Sequence, residues 1–129
     1  MGAIVFSDPA ALEDLNRITH GAIREEVAHR LAGHTGLAAI DAIALFEGGL
    51  ADLCDTTVAI VAPVEARVKR LMARDNIPED YARSRIAAQH QESWFRERCD
   101  EILNNNGDLD SFRSKCLAFL TRLGIMEET

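Results

Sequence analysis

Positive charge is in short supply in this sequence. Fourteen lysines and arginines stand against 21 aspartates and glutamates, a formal net charge of −7 over 129 residues. A surface that grips nucleic acid needs a basic face, so no nucleic-acid partner is expected. A small anionic ligand stays open, because a few local arginines can hold phosphate in an acidic protein. Otherwise the acidity serves solubility. Cysteine is scarce as well. Cys54, Cys99 and Cys116 are far apart and odd in number, with no Cys-x-x-Cys pair and no Cys/His metal spacing, which reads as reduced thiols in a cytoplasmic protein. Long apolar runs are missing. The opening MGAIVFSDPAALEDL has neither the basic segment nor the hydrophobic stretch of a signal peptide or membrane span. Phe6 stands where a myristoylation signal wants Ser or Thr, so no membrane partner is expected. There is no internal repeat and no low-complexity segment.

What is present is ordinary for a globular domain: 47% hydrophobic and 27% charged residues, in a length that suits a single core. Asp8-Pro9 starts a helix, with Asp8 as the cap and Pro9 in the first helical position. Leu12, Leu15, Ile18, Ala22, Ile23, Val27 and Leu31 then recur at three and four residues, an amphipathic stripe ending near Gly33. After the turn Gly33-His34-Thr35-Gly36, residues 37–45 are almost all apolar, as in a strand covered on both faces. That strand is expected to end at Phe46-Glu47-Gly48-Gly49. A second strand covers residues 56–62 and stops at Pro63. Helices follow over Glu65 to Arg74 and from Pro78 through Gln89, broken at Asn76-Ile77-Pro78. A short strand over Glu101 to Asn104 ends at the turn Asn105-Asn106-Gly107, and a last helix runs from Leu109 to Leu123.

Apolar strands alternating with helices predict an α/β domain, a parallel sheet with helices on both faces. Ligands of such sheets bind at the carboxyl ends of the strands, which directs attention to Leu45–Gly49 and Ala62–Glu65.

The ordered set of residues is recognisable. Asp41, Leu45-Phe46-Glu47, Gly49-Leu50, Asp55, and a strand running into Ala62-Pro63-Val64-Glu65 resemble dephospho-CoA kinase. So do Arg70-Leu71-Met72-Ala73-Arg74-Asp75, Arg85-Ile86-Ala87-Ala88-Gln89, Asp100 and Asn104-Asn105-Asn106-Gly107, and at the front Ile4-Val5-Phe6, Leu15-Asn16 and His20. The resemblance implies a P-loop kinase of the nucleoside monophosphate kinase type. Such a kinase moves the γ-phosphoryl of ATP, with Mg2+, to the 3′-hydroxyl of dephospho-CoA, the last step of coenzyme A synthesis. It further implies a substrate-side helical part over 1–33, a core over 34–73 and 92–129, and a mobile lid over 74–91.

The departures are in the same residues. No GxxxxGK[ST] loop occurs, although such a loop's amides and lysine hold the β- and γ-phosphates. The aspartate that the family carries after that loop is absent with it. Ile43-Ala44 stands where the family has Pro-Leu, and Gly21 where it has proline. The expectation is an N-terminally truncated piece whose central P-loop strand is missing, so that the strands over 37–45 and 56–62 each lose a ladder. Unpaired buried amides cost on the order of 1–3 kcal/mol each, so the chain is expected to be marginal, rearranged, or self-associated through unpaired strand edges.

The resemblance assigns candidate roles. Arg85 and Arg74 would sit on phosphates, where guanidinium groups offset charge on the transferring oxygens, and Arg85 and Asp41 would be catalytic. His20 and Glu47 would face dephospho-CoA. Without the resemblance, Asp41 also reads as a helix cap or an arginine partner, and His20 as a surface histidine beside Arg17 and Arg24. Arg70, Arg74, Arg83 and Arg85 form a basic cluster that solvated helix faces could equally explain. Trp94-Phe95 reads as packing, with adenine stacking the rival. These 129 residues alone are expected to be inactive, and a non-catalytic CoA-binding or self-associating module is the alternative.

Overall fold

A computed structural model of the chain describes residues 7–125. The expected opening match, Ile4-Val5-Phe6, lies outside the described residues. The chain divides into two compact units, Met1–Asp55 and Thr56–Thr129.

The first unit is built on helix α1, Pro9–Ala32. Its start is as expected: the Asp8 carboxylate accepts from the Ala10 and Ala11 amides at 3.1 and 3.4 Å, and Pro9 supplies a first-turn position that needs no donor. Ion pairs Arg17–Asp14 (2.9 Å) and Arg30–Glu26 (2.8 Å) lie along its solvated side. The apolar stripe does not become a core face. No residue of α1 is buried, and Ile18 and Ile23 remain 66% and 50% exposed.

The strand expected over 37–45 does not form. Residues 37–42 have no regular structure and 43–49 wind through successive turns. The Gly48 amide donates to the Ala44 carbonyl at 2.8 Å, Gly49 to Phe46 at 3.1 Å and Leu50 to Leu45 at 2.9 Å. A strand satisfies its backbone only through a neighbour. The described residues of this unit include no other extended element, so no ladder forms, and the Ala44 and Leu45 carbonyls at the end of the run are taken up by the turn that follows. A one-turn 3₁₀ helix, Ala51–Leu53, follows, and Leu50 before it is buried.

The second unit is α/β. Strand β1 (Val58–Val61) pairs parallel with β2 (Glu101–Asn104), in the register Val58↔Glu101 to Val61↔Asn104. The connection carries helices α2 (Val64–Asp75), α3 (Glu79–Ala87) and α4 (Glu92–Arg98), and α5 (Leu109–Arg122) follows β2. All but α4 lie where the periodicity put them. α4 has seven residues, too few for a readable period. A 2.7 Å Arg96–Glu92 pair spans it.

At the amino end of the sheet, Asp100 Oδ2 accepts from the Thr57 amide (2.8 Å) and hydroxyl (3.1 Å). The Asp100 and Glu101 amides return bonds to the Thr57 carbonyl, each 3.0 Å. At the carboxyl end, the Asn105 amide donates to the Val61 carbonyl (2.7 Å), and Lys115 of α5 reaches the Asn104 carbonyl (2.7 Å) and Asn106 Oδ1 (3.0 Å). α4 rests on β1, α5 on β2, and α2 against α3. Among its described residues, Ala59, Val61, Leu103, Val68, Ala82 and Phe119 are the buried apolar ones. β1 is not covered on both faces as expected: Val58 and Ile60 are 37% and 61% exposed. No helix of the described residues is long and apolar enough to cross a membrane.

Candidate functional site

Arg67, Arg70 and Arg74 follow one another by three and four residues, which puts them on one face of α2. The chain must then reverse to lay α3 against that face. Asn76 allows it by taking a left-handed conformation (φ 52°, ψ 51°), one that asparagine tolerates, and Pro78 opens the next helix. The reversal brings Arg85 and Ile86 opposite the α2 arginines. Together they enclose a cleft of ≈ 270 Å³, lined by the four arginines over Leu71 and Ile86 and closed by Gln89. A second cleft of ≈ 260 Å³ also takes Arg67, Arg70 and Gln89 into its wall. It runs to Val61 and Ala62 at the carboxyl end of β1, to Asn105 after β2, and to Phe95. The ligand rule for parallel sheets and the arginine cluster therefore meet at Arg67 and Arg70, in the second cleft.

The arginines differ in how they are occupied. Arg74 forks onto Asp75, Nε to Oδ1 at 2.8 Å and Nη2 to Oδ2 at 3.0 Å, while Arg85 Nη1 reaches the same Oδ2 at 2.8 Å. Hydrogen bonds first from Arg74 and then from Arg85 hold the Asp75 carboxyl well below the usual carboxylate range, and Asp75 in turn raises Arg74. Arg67 donates to Gln89 Oε1 at 2.6 Å. Arg70 has no hydrogen bond or ion pair among the described residues.

Arg83, grouped with this cluster by sequence, does not line the cleft. It forks onto Glu65 with two 3.0 Å bonds and touches Glu79 at 3.5 Å, tying α3 to the start of α2. That bond lowers Glu65 and raises Arg83. The aromatic pair packs locally. Trp94 stacks on His90 with centroids 3.8 Å apart, has the Arg98 guanidinium 4.1 Å above its ring, and meets Phe95 edge-on at 5.0 Å.

The first unit holds a separate arrangement. His20 and Arg24, one turn apart on α1, face the 43–49 turn. Arg24 Nε donates to the Gly49 carbonyl at 3.1 Å, and the His20 ring lies beside Gly48. Both glycines are required: a Cβ on Gly48 would stand 2.9 Å from the Ala44 carbonyl oxygen, and Gly49 has φ +74°. Glu47 is exposed on this same turn, not at the end of a strand. Asp41 is exposed in the irregular stretch before it and has no partner among the described residues.

The structure thus joins Arg74 to Arg85 through Asp75, and His20 to the turn carrying Glu47. Arg67, Gln89 and Arg24 were missed as site residues. The spacing of 67, 70 and 74 could have found Arg67, whereas Gln89 and Arg24 depend on which residues lie opposite once the chain has turned back, which no local pattern announces. Among the described residues no three His, Cys, Asp or Glu side chains gather as metal ligands.

Comparison with known proteins bears on the family. The dephospho-CoA kinase family profile matches residues 1–111. Dephospho-CoA kinases of Moorella thermoacetica and Syntrophotalea carbinolica are each 38% identical over 123 residues, 92% of this chain and 58% of theirs. A crystal structure from Thermus thermophilus superposes with a TM-score of 0.75 at 31% identity, covering 94% of this chain and 64% of its own. Dephospho-CoA kinase from Campylobacter jejuni gives 0.66 at 25% identity, covering 97% and 65%. The chain spans 58% of the length of the first two relatives.

Proposed function

This chain belongs to the dephospho-CoA kinase family, and we propose that it serves transfer of the γ-phosphoryl of ATP to the 3′-hydroxyl of dephospho-CoA. The observation that carries the reading is the four-arginine cleft, which shares Arg67, Arg70 and Gln89 with the cleft that reaches the carboxyl end of β1. A triphosphate bears several negative charges in a row, and planar guanidinium groups match its oxygens in pairs. Arg70 would make first contact, and Arg74 and Arg85 would sit on the phosphates and offset charge on the oxygens of the transferring phosphoryl group. Residues 74–91, which include α3, would act as the lid that closes over them. His20 and Glu47 would face dephospho-CoA, with Arg24 holding the turn, and Asp41 would lie near the metal or the acceptor hydroxyl. Magnesium commonly takes one or two carboxylates plus phosphate oxygens, so it would enter with the nucleotide.

Charge stabilisation in this chemistry depends on a loop of backbone amides and a lysine, and these 129 residues contain no GxxxxGK[ST]. The chain alone is therefore expected to bind ATP without turning it over. Calorimetry with ATP and with dephospho-CoA, beside a turnover assay on the same preparation, tests both halves. Binding of ATP that weakens in Arg85→Ala, with turnover at the no-protein level, is the expected result. Absence of any ATP binding would overturn the phosphate reading, and turnover would overturn the inactivity. The exposed Val58 and Ile60 on β1 favour a second property, self-association through that strand. Sedimentation would show a dimer that dissociates in Ile60→Lys.

A further inference from the structure

Two of the four arginines in the cleft are already held by an anion of the protein itself. Asp75 makes three charge-assisted contacts of 2.8, 3.0 and 2.8 Å, two from Arg74 and one from Arg85, with Oδ2 shared between the two guanidinium groups. A carboxylate so placed presents its oxygens as two of a phosphate's would be presented. The remaining pair is differently disposed. Arg67 is engaged only by the neutral Gln89 amide, and Arg70 has no side-chain partner among the described residues.

We propose that Asp75 is a built-in competitor for the arginine cleft, occupying the guanidinium groups of Arg74 and Arg85 until a polyanion displaces it, and thereby setting which anions the cleft accepts. The proposal rests on the reading that this cleft takes polyphosphate. Two features make displacement feasible. Asp75 is the last residue of α2, followed directly by Asn76 in the left-handed conformation, so its carboxylate stands at the joint between α2 and α3. Its side chain is 29% exposed, with water at hand to receive it. A single phosphate meeting Arg70 and Arg67 gains too little to evict the carboxylate. A tri- or tetra-anion that also reaches Arg74 and Arg85 replaces every contact that Asp75 gives up. Asp75 therefore lowers affinity most for the long polyphosphates that must displace it, and narrows their advantage over a single phosphate.

The rival role for Asp75 is a bracket that merely holds the two arginines in place, and the two roles predict opposite signs. The probe is inorganic tripolyphosphate, with orthophosphate in parallel, titrated into the 129-residue chain by calorimetry at fixed low ionic strength. Each exposed ion pair is worth up to about a factor of five, so Asp75→Asn should tighten tripolyphosphate roughly tenfold and orthophosphate by less. Equal or weaker binding by Asp75→Asn, while Arg70→Ala still weakens binding, would overturn the competitor and leave the phosphate cleft standing. If Arg70→Ala has no effect in either background, the phosphate reading itself falls and takes the competitor with it. Circular dichroism checks the fold of each variant. Asp75→Ser, which also removes the charge, replaces the asparagine variant if that form is unfolded.

Discussion

Replacing Asp100 with alanine deletes the acceptor of two hydrogen bonds at the amino end of the parallel pair, from the Thr57 amide at 2.8 Å and the Thr57 hydroxyl at 3.1 Å. Thr57 is 8% exposed, so water replaces these bonds poorly. A bond to a charged partner is worth about 1.5–3 kcal/mol net and a neutral one about 1. Asp100 itself is exposed, which pulls the total to the lower end, about 2 kcal/mol. Thr57→Val removes only the hydroxyl, which donates to Asp100 and accepts the Asp100 amide at 3.1 Å, and should cost about 1 kcal/mol. Because the two residues share the contacts, the double variant should cost little more than Asp100→Ala alone, a coupling near 1 kcal/mol. Urea denaturation followed by circular dichroism measures all three, and a loss of about 2 kcal/mol should lower the midpoint temperature by roughly 10 °C in a unit of this size. Strictly additive losses would refute the shared clamp. So would an Asp100→Ala variant within about 0.5 kcal/mol of the parent, the range of an ordinary surface substitution.

Three further outcomes are expected. Val68 is 1% exposed; Val68→Ala removes two buried carbons and should cost about 2 kcal/mol in the same denaturation assay. Burial pushes the Cys54 and Cys99 thiols above their ordinary value, so in native protein at neutral pH both should react with a disulfide reagent more slowly than in the denatured chain. The carboxyls of Asp75 and Glu65 are lowered in the fold. Their contribution is present above the ordinary carboxylate value near 4 and is lost as pH falls through the folded values. The raised thiols act in the opposite sense, contributing below the ordinary value of 9.0 and losing that contribution as pH rises past it. Denaturation midpoints should therefore be flat from about pH 5 to 8 and fall on either side; a fall centred near pH 6.5 would point to histidine instead.

Local sequence determined much of the architecture. The Asp8 cap with Pro9, the Asn76-Ile77-Pro78 break and the Asn105-Asn106-Gly107 turn each act through the backbone preferences of one or two residues, so α1, the α2–α3 joint and the end of β2 fall where they were expected. β1, β2 and α5 follow from apolar period alone. The family likewise follows from residues in order, which are visible before any fold is known.

Tertiary structure decided the rest, because it depends on partners distant in the chain. Residues 37–45 have strand composition, but a strand exists only against a neighbour, and the run instead stays irregular and ends in the 43–49 turns. α1 has a core stripe without a buried residue for the related reason that the described residues of its unit include no sheet to cover it. Sequence could collect Arg70, Arg74, Arg83 and Arg85 but could not sort them. Glu65 draws Arg83 aside, Asp75 ties Arg74 to Arg85, and Arg67 enters the cleft through its place on α2. The spacing of charges is written in the chain, whereas their pairing is a matter of distance between elements, and only the packing of α3 on α2 sets that distance.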